Sequence, residues 1–154
     1  MLDVPVLGIA QAAMHAAALT AGAFSVVTSM SSTVSRAWQL AKVYTPSQCA
    51  GVHACDIPVL QIDSDPATIN PIGDLCERAL TEDSSRAIVL GCAAMAPFAT
   101  PLSRRLGVPV IDGVVAATVL AEALAVFSCV AAVSAQSRLG NWGRSDLPYD
   151  GGLT

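Results

Sequence analysis

The fold is decided by one stretch of the sequence, Arg86-Ala87-Ile88-Val89-Leu90-Gly91-Cys92. The run from Arg86 to Leu90 is almost entirely apolar, which predicts a strand that is buried on both faces of a sheet. Strands of this kind belong to parallel sheets, because the helical connections between parallel strands cover both faces. Helical segments on either side of the stretch would therefore indicate an α/β fold.

Helical and extended patterns alternate on both sides of this strand. Gly22 and Gly107 stand where helix C-terminal glycines are common, and Pro66 fits the first turn of a helix. Helices are predicted over 11–21, from the caps at 31–33 to about 43, from 63–66 to 82, over 96–106 and over 114–137. Strands are predicted over 4–8, 24–28, one or two pieces of 50–60, 86–90 and 108–111. We therefore expect an α/β fold, with a parallel sheet flanked by helices on both faces.

Composition excludes several classes of protein. The 154 residues are enough for one domain, or for one domain and part of another. Hydrophobic residues make up 53% and charged residues 13%, so a large core is expected and disorder of the main body is not. The net charge of -4, the lack of a Lys/Arg cluster and an aromatic content of 5% argue against nucleic acid as a partner.

One segment, residues 114–133, is long and apolar enough to be considered as a membrane span, and the mean hydropathy of the chain is +0.57. Glu122 lies near its middle, alanine supplies much of its length and no basic residues flank its start. A charged carboxylate at the centre of a bilayer costs about 2.5 kcal/mol or more. A buried crossover helix, and no membrane contact, is therefore expected.

The cysteines and the N-terminus indicate a reducing, cytoplasmic setting. The five cysteines are an odd number at irregular spacings without a CxxC pair, so neither a disulfide framework nor a zinc site is predicted. Residues 1–5 hold an acid and a proline where a signal peptide has basic residues. His15 is expected to pack at a domain boundary and His53 has no evident partner. Without a ligand cluster or a glycine-rich phosphate loop, neither a metal nor a cofactor is expected.

Three predicted strand ends carry candidate functional groups. Ligands of open parallel sheets bind at the carboxyl ends of the strands, which here are Thr28-Ser29, Gly91-Cys92 and Asp112-Gly113. Cys92 follows a buried strand and precedes a predicted helix, whose first N–H groups and partial positive charge favour a thiolate. Gly91 permits a tight turn, and the small side chain of Ala93 leaves room for a ligand. From these residues alone, Cys92 is as consistent with a core thiol as with a reactive one.

The other groups at these strand ends keep two interpretations. Thr28 and Ser29 are candidates for hydrogen bonds to substrate, and they are equally suited to cap the following helix. The amides after Cys92 are candidates for binding a carboxylate or an enolate oxygen. Asp112 is a candidate to orient Cys92, but an Asp before Gly is also a common turn residue, and we favour that role.

Five motifs in order give the sequence a family resemblance. The stretches 90–95 and 107–114 resemble the second-half signature of hydantoin racemases, G-C-A-G-M followed by G-V-P-V-I-D-G-V, except that Ala94 replaces the second glycine. Further similar motifs are Ala12-Ala13-Met14-His15, Phe24-Ser25-Val26-Val27-Thr28 and Cys49-Ala50-Gly51-Val52-His53 with Asp56-Ile57-Pro58-Val59. The similarity runs from about Val4 to Leu124. The sequence thus resembles the aspartate/glutamate/hydantoin racemase family, and hydantoin and allantoin racemases in particular.

The resemblance implies two similar α/β domains with the substrate between them. It places a remnant of the first domain at 1–22, the second domain at 23–113, a helix that returns to the first domain at 114–138 and a flexible tail at 139–154. The chain is then expected to hold one complete domain and fragments of the other. The implied substrate is a small molecule with an acidic Cα–H; no cofactor is implied, and the resemblance leaves room for a homo-oligomer.

The resemblance also implies a two-cysteine mechanism, in which one cysteine takes the Cα proton and the other returns a proton to the opposite face. Cys92 matches the second of these cysteines, and the first is expected in a segment upstream of this chain. The implied substrate-binding residues are Thr28, Ser29, Gly91 and Ala93. The remaining cysteines lack a strand-to-helix setting and are expected to be core or surface thiols: Cys49, Cys55, Cys76 and Cys129.

Three functions are compatible with this sequence. The first is a cofactor-independent racemase of a hydantoin, allantoin or amino acid, which would need the other cysteine from another segment or subunit. The second is a decarboxylase or isomerase of the same superfamily that uses Cys92 alone. The third is an inactive, truncated paralogue that folds or binds a partner without turnover.

Overall fold

The computed structural model describes residues 6–141, with side chains for residues 6–127. Its four strands are all parallel and stand in the order β2-β1-β3-β4. Their bounds are β1 Phe24–Thr28, β2 Cys49–Ala54, β3 Ile88–Leu90 and β4 Val110–Asp112. The predicted parallel sheet is confirmed.

Helices connect these strands. Their bounds are α1 Ile9–Ala21, α2 Val34–Tyr44, α3 Val59–Ser64, α4 Ile69–Glu82, α5 Ala99–Leu106 and α6 Gly113–Asn141. Short 3-10 turns lie at Ser31–Thr33, Pro66–Thr68 and Ala93–Phe98. The left-handed backbone of Gly107, at φ 68°, ends α5 where the sequence predicted a stop.

Both faces of the sheet are covered, as the apolar strands predict. Val26 and Val27 are neighbours in β1, yet they are buried in different clusters because successive side chains of a strand point to opposite faces. Val26 lies with Phe24, Val89 and the α1 and α2 residues Ala13, Met14, Ala17 and Ala41. Val27 lies with Ile88, Leu90 and the α4 and α5 residues Ile72, Cys76 and Leu102. The α/β class, with helices on both faces, is therefore confirmed.

Four local predictions are wrong. Residues 6–8 form no strand, while 4 and 5 lie outside the described part of the chain. Residues 59 and 60 begin α3 instead of continuing an extended piece, because Pro58 starts a helical turn. The helix expected from 96 begins only at 99, since residues 93–98 form a 3-10 turn. Residues 31–33 form a 3-10 turn and provide no side-chain cap to α2.

The chain divides into two compact units. The first ends at Leu120 and contains α1 together with the whole sheet; the second begins at Ala121 and contains the rest of α6. The boundaries predicted at 22, 113 and 138 remain predictions, and most of the predicted tail lies outside the described residues. No helix in the described part of the chain is long and apolar enough to cross a membrane.

A buried polar cluster ties the loop after α4 to the sheet. The carboxylate of Asp83 accepts hydrogen bonds from the Ser25 hydroxyl at 2.5 Å and from His53 Nε2 at 2.7 Å, and Ser25 also contacts the Ser85 hydroxyl at 2.9 Å. His53 therefore has a partner that the sequence did not reveal. Gly51 lies directly under this carboxylate, and a Cβ there would collide with Asp83.

Replacing Asp83 by alanine is expected to lower the free energy of unfolding by about 1–3 kcal/mol, because Ser25 and His53 would lose a charged partner in a half-buried site. Urea unfolding followed by circular dichroism measures this change. The matched control is Glu82→Ala, which removes an exposed carboxylate from the neighbouring position. Equal unfolding midpoints for the two variants would contradict the expectation.

Candidate active site

The order of the strands creates a crevice at one edge of the sheet. From β1 the chain moves outward to β2, then returns to place β3 on the other side of β1. In open parallel sheets, ligands bind at such a reversal, outside the carboxyl ends of the strands. Here Val27 is paired with Leu90, so Thr28 and Gly91 follow side by side. The amide of Gly91 donates to the carbonyl of Val27 at 2.8 Å.

A cavity of about 180 Å³ lies at this position. It exceeds the roughly 150 Å³ that accommodates benzene in an engineered protein cavity. The strand ends supply its polar part, with Thr28, Cys92 and Asp112, and α1 and α2 supply mostly apolar walls. Of the predicted substrate-binding residues, Thr28, Gly91 and Ala93 line it together with Cys92.

Cys92 is half-buried and lines the cavity at the carboxyl end of β3. Its backbone is extended, at φ -137° and ψ 130°, and its carbonyl accepts from the amide of Met95 at 3.0 Å. The α-helix predicted to follow it directly is instead the 3-10 turn 93–98, and α5 begins at Ala99. The thiol therefore lies before a short turn and not at the end of an α-helix.

Gly91 is required for space. Its φ is not positive, and the positive-φ glycines among the described residues are Gly22 and Gly107. A Cβ at Gly91 would lie 3.1 Å from Thr28 Cβ and 3.2 Å from Val26 Cγ1. Without a side chain, the β3 end can lie directly against the β1 end.

The hydroxyl of Thr28 is buried and its direction of hydrogen bonding follows from its neighbours. It lies 2.8 Å from the Thr33 hydroxyl, which itself donates to the carbonyl of Met30 at 2.7 Å. A hydroxyl has one proton, so Thr28 must be the donor in the Thr28–Thr33 pair. Its remaining lone pairs can therefore only accept from a ligand.

The turn that carries Thr33 is held in place by Asp56. The carboxylate of Asp56 accepts from the amide and the hydroxyl of Ser31, both at 2.7 Å. These bonds lower the pKa of Asp56. The loop after β2 therefore fixes the loop after β1.

Ser29 and Asp112 are engaged elsewhere. Ser29 is buried and is not among the residues that line the cavity; its carbonyl accepts from the amide of Ile57 at 3.1 Å. The carboxylate of Asp112 accepts from the amides of Val114 at 3.0 Å and Val115 at 3.2 Å. Asp112 therefore caps α6, in agreement with the favoured turn role.

The other described thiols lie at different positions from Cys92, and Cys76 is fully buried. Burial raises the pKa of Cys49 to about 11, with the nearby Asp83 carboxylate adding to the effect, and burial raises the pKa of Cys76 to about 12. Burial also raises the pKa of Cys55, as do the charges of Asp56 and Cys92. These three thiols do not line the cavity. The side chain of Cys129 lies outside the described residues.

The contribution of α2 to the cavity was not predicted from the sequence. The α2 residues Arg36, Ala37 and Leu40 and the preceding Thr33 line the cavity, at the spacing of one helical face. That spacing is visible in the sequence, but it does not reveal which way the face points. Within the described residues, no group of three or more His, Cys, Asp or Glu side chains could hold a metal ion.

The fold and the cavity together define an α/β protein with a cavity at the reversal point of a parallel sheet, lined in part by a thiol. A sequence model of the Asp/Glu/hydantoin racemase family matches residues 1–121. The chain belongs to this family.

Three relatives illustrate the similarity. A hydantoin racemase of Rhizobium meliloti is 42% identical over 122 residues, covering 78% of this chain and 51% of the relative. The solved allantoin racemase from Klebsiella pneumoniae is 46% identical, with a TM-score of 0.76, over 80% of this chain and 51% of that one. The allantoin racemase from Pseudomonas fluorescens is 38% identical, with a TM-score of 0.80, over 83% of this chain and 55% of that one. The chain therefore spans about half the length of these relatives.

The rate of alkylation by iodoacetamide should distinguish Cys92 from the thiols outside the cavity. A thiol with a pKa of about 11 is ionised to roughly one part in a thousand at pH 8, and only the thiolate reacts. Peptide mapping by mass spectrometry should therefore find Cys92 labelled first and Cys49 and Cys76 last. The Cys49 rate should rise about tenfold per pH unit from pH 8 to 10, because its thiolate fraction grows until pH reaches the pKa.

The same pH series on urea-unfolded protein is the control, since unfolding removes the burial that raises these pKa values. All thiols should then react at similar rates. If native Cys49 reacts as fast as Cys92 at pH 8, the prediction that burial lowers the reactivity of Cys49 is wrong.

Proposed function

We propose that the cavity binds a small molecule with an acidic Cα–H beside a carbonyl, of the hydantoin or allantoin type, and that Cys92 transfers the Cα proton. The observation that carries the proposal is the position of Cys92, which lines the cavity at the reversal point of the sheet in a chain of this family. Cysteine is suited to this role because its thiolate is a base and its thiol is an acid near neutral pH.

The proposed chemistry needs no cofactor. As the thiolate of Cys92 takes the Cα proton, the electron pair left on carbon spreads onto the adjacent carbonyl oxygen of the substrate. Return of the proton from the thiol restores the C–H bond. Thr28 supports this pose by accepting a hydrogen bond from a substrate N–H, a group that hydantoins and ureides carry next to the reacting carbon.

The apolar walls of the cavity also favour the proton transfer, because they exclude water. Apolar side chains of α1 and α2, among them Ala13, Met14 and Leu40, line the space around the thiol. Excluding water from the site strengthens the interactions between the thiolate, the substrate and the surrounding dipoles. The proposal includes a reducing, cytoplasmic setting, because the chemistry requires a free thiol.

Full racemisation requires a second acid or base on the opposite face of the substrate. Among the side chains of residues 6–127, Cys92 is the thiol that lines the cavity. We therefore expect this chain alone to exchange the Cα proton from one face, with little or no racemisation. A second subunit or another segment would have to supply the other group.

The test is exchange of the C5 proton of enantiopure allantoin or a 5-substituted hydantoin in D₂O, followed by NMR and polarimetry. After subtraction of the spontaneous rate, deuterium should enter while most of the optical rotation is kept. Cys92→Ser should lower the protein-dependent rate about 10²-fold or more, because the serine hydroxyl is a far weaker acid.

The matched control is Cys49→Ser, which alters a half-buried thiol outside the cavity and should leave the exchange rate unchanged. Exchange that survives Cys92→Ser would refute the proposed role of Cys92. Loss of rotation as fast as deuterium uptake would show that a second acid is present. Release of CO₂ from a prochiral disubstituted malonate, with a product of one handedness, would favour the single-cysteine decarboxylase instead.

A further inference from the structure

We infer that Arg36 is a specificity-determining residue, which makes the cavity prefer substrates that carry a carboxylate on the substituent of the reacting carbon. The inference rests on the proposed function, because it assumes that the cavity next to Cys92 is the substrate site. It adds the chemical class of the substrate, an acidic hydantoin or ureide, which the geometry of Cys92 and Thr28 does not specify.

The position of Arg36 follows from the face that α2 presents. Thr33, Arg36, Ala37 and Leu40 all line the cavity. Thr33 contacts Thr28 at the end of β1, at 2.8 Å between the hydroxyl oxygens. Arg36 begins about one helical turn, roughly 5.4 Å, further along the same face. A long side chain at this position reaches over the space that the strand ends enclose.

The guanidinium of Arg36 is available to a ligand. The side chain is exposed, and its Nη1 donates a long hydrogen bond to Gln39 Oε1 at 3.4 Å. The ion pairs found within residues 6–127 join Arg105 to Asp74 and Glu77, His53 contacts Asp83, and none of these contacts uses Arg36. A guanidinium has five N–H donors and stays charged at all physiological pH values, so it can bind a carboxylate with two parallel hydrogen bonds.

The other charged side chain of the cavity, Asp112, makes no ion pair with Arg36 among the described side chains. Both of its carboxylate oxygens accept from the first amides of α6. The side-chain groups that line the cavity include the thiol of Cys92, the acceptor oxygen of Thr28 and the guanidinium of Arg36, and Arg36 is the cationic side chain among the described lining residues. This set selects a molecule that has a reactive carbon, an N–H donor and an anionic group within one small volume.

The test uses protection of Cys92 from iodoacetamide, which reports binding in this cavity without requiring turnover. The paired probes are hydantoin-5-acetate and its neutral isostere hydantoin-5-acetamide, added to the whole chain. For the unsubstituted protein, the acid should protect at a concentration at least about 10-fold lower than the amide, the effect expected for a charge-assisted hydrogen bond. Raising the salt concentration should reduce this ratio.

Arg36→Gln should bring the ratio of the two protection constants close to one. Arg36→Lys should give an intermediate ratio, because lysine keeps the positive charge but cannot make two parallel hydrogen bonds to a carboxylate. Glutamine is also a good helix former, so α2 should be retained, and circular dichroism checks this. Arg86→Gln is the matched control: it removes an exposed arginine outside the cavity and should leave the ratio unchanged.

The outcomes separate this inference from the proposed function. Equal protection by acid and amide in the unsubstituted protein would overturn the role of Arg36 and leave the hydantoin site standing. A preference for the acid that persists in Arg36→Gln would also overturn it. Absence of protection by either probe, up to the limit of solubility, would overturn the proposed site and the inference together.

Discussion

The contact between the carboxyl ends of β1 and β3 is the constraint on which the site depends. The amide of Gly91 donates to the carbonyl of Val27, and no Cβ stands between Gly91 and Thr28. This contact keeps β3 against β1 up to the point where both strands end, with β2 and β4 on the outside. Neighbouring strands are about 4.8 Å apart, so the pairing brings residues as distant in sequence as Thr28 and Cys92 to one crevice.

Hydrogen bonds around the crevice then decide which groups remain for a ligand. Thr33 gives its proton to Met30, and this leaves Thr28 as an acceptor; Asp112 is held by the amides of α6. A cavity that keeps a few directed polar groups inside apolar walls is the common form of a small-molecule site. The chain spans about half the length of the relatives that it matches.

Several features could be predicted from the sequence because their causes are local. The apolar run before Gly91, the helix stop at Gly107 and the alternation of helices and strands indicated the parallel sheet, and ordered motifs indicated the family. Other features could not. The partner of His53 is Asp83, thirty residues away in the sequence, and nothing in the sequence near His53 points to it. The helix expected from 96 begins three residues later, because composition does not separate the end of a 3-10 turn from the first turn of an α-helix.

Cys92 illustrates which properties follow from the sequence alone and which follow from the tertiary structure. The sequence by itself determined the α/β class, the family and a cysteine placed directly after a buried strand, because strand periodicity and motifs are properties of consecutive residues. Only the tertiary structure decided that Thr28, Gly91 and Ala93 line one cavity with Cys92 while Ser29 does not, and that Arg36 joins them from α2. It also decided that burial raises the pKa values of Cys49 and Cys76. The physical reason is that burial, charge and hydrogen bonding depend on which segments lie next to each other in the fold. The order of the strands in the sheet determines these neighbours.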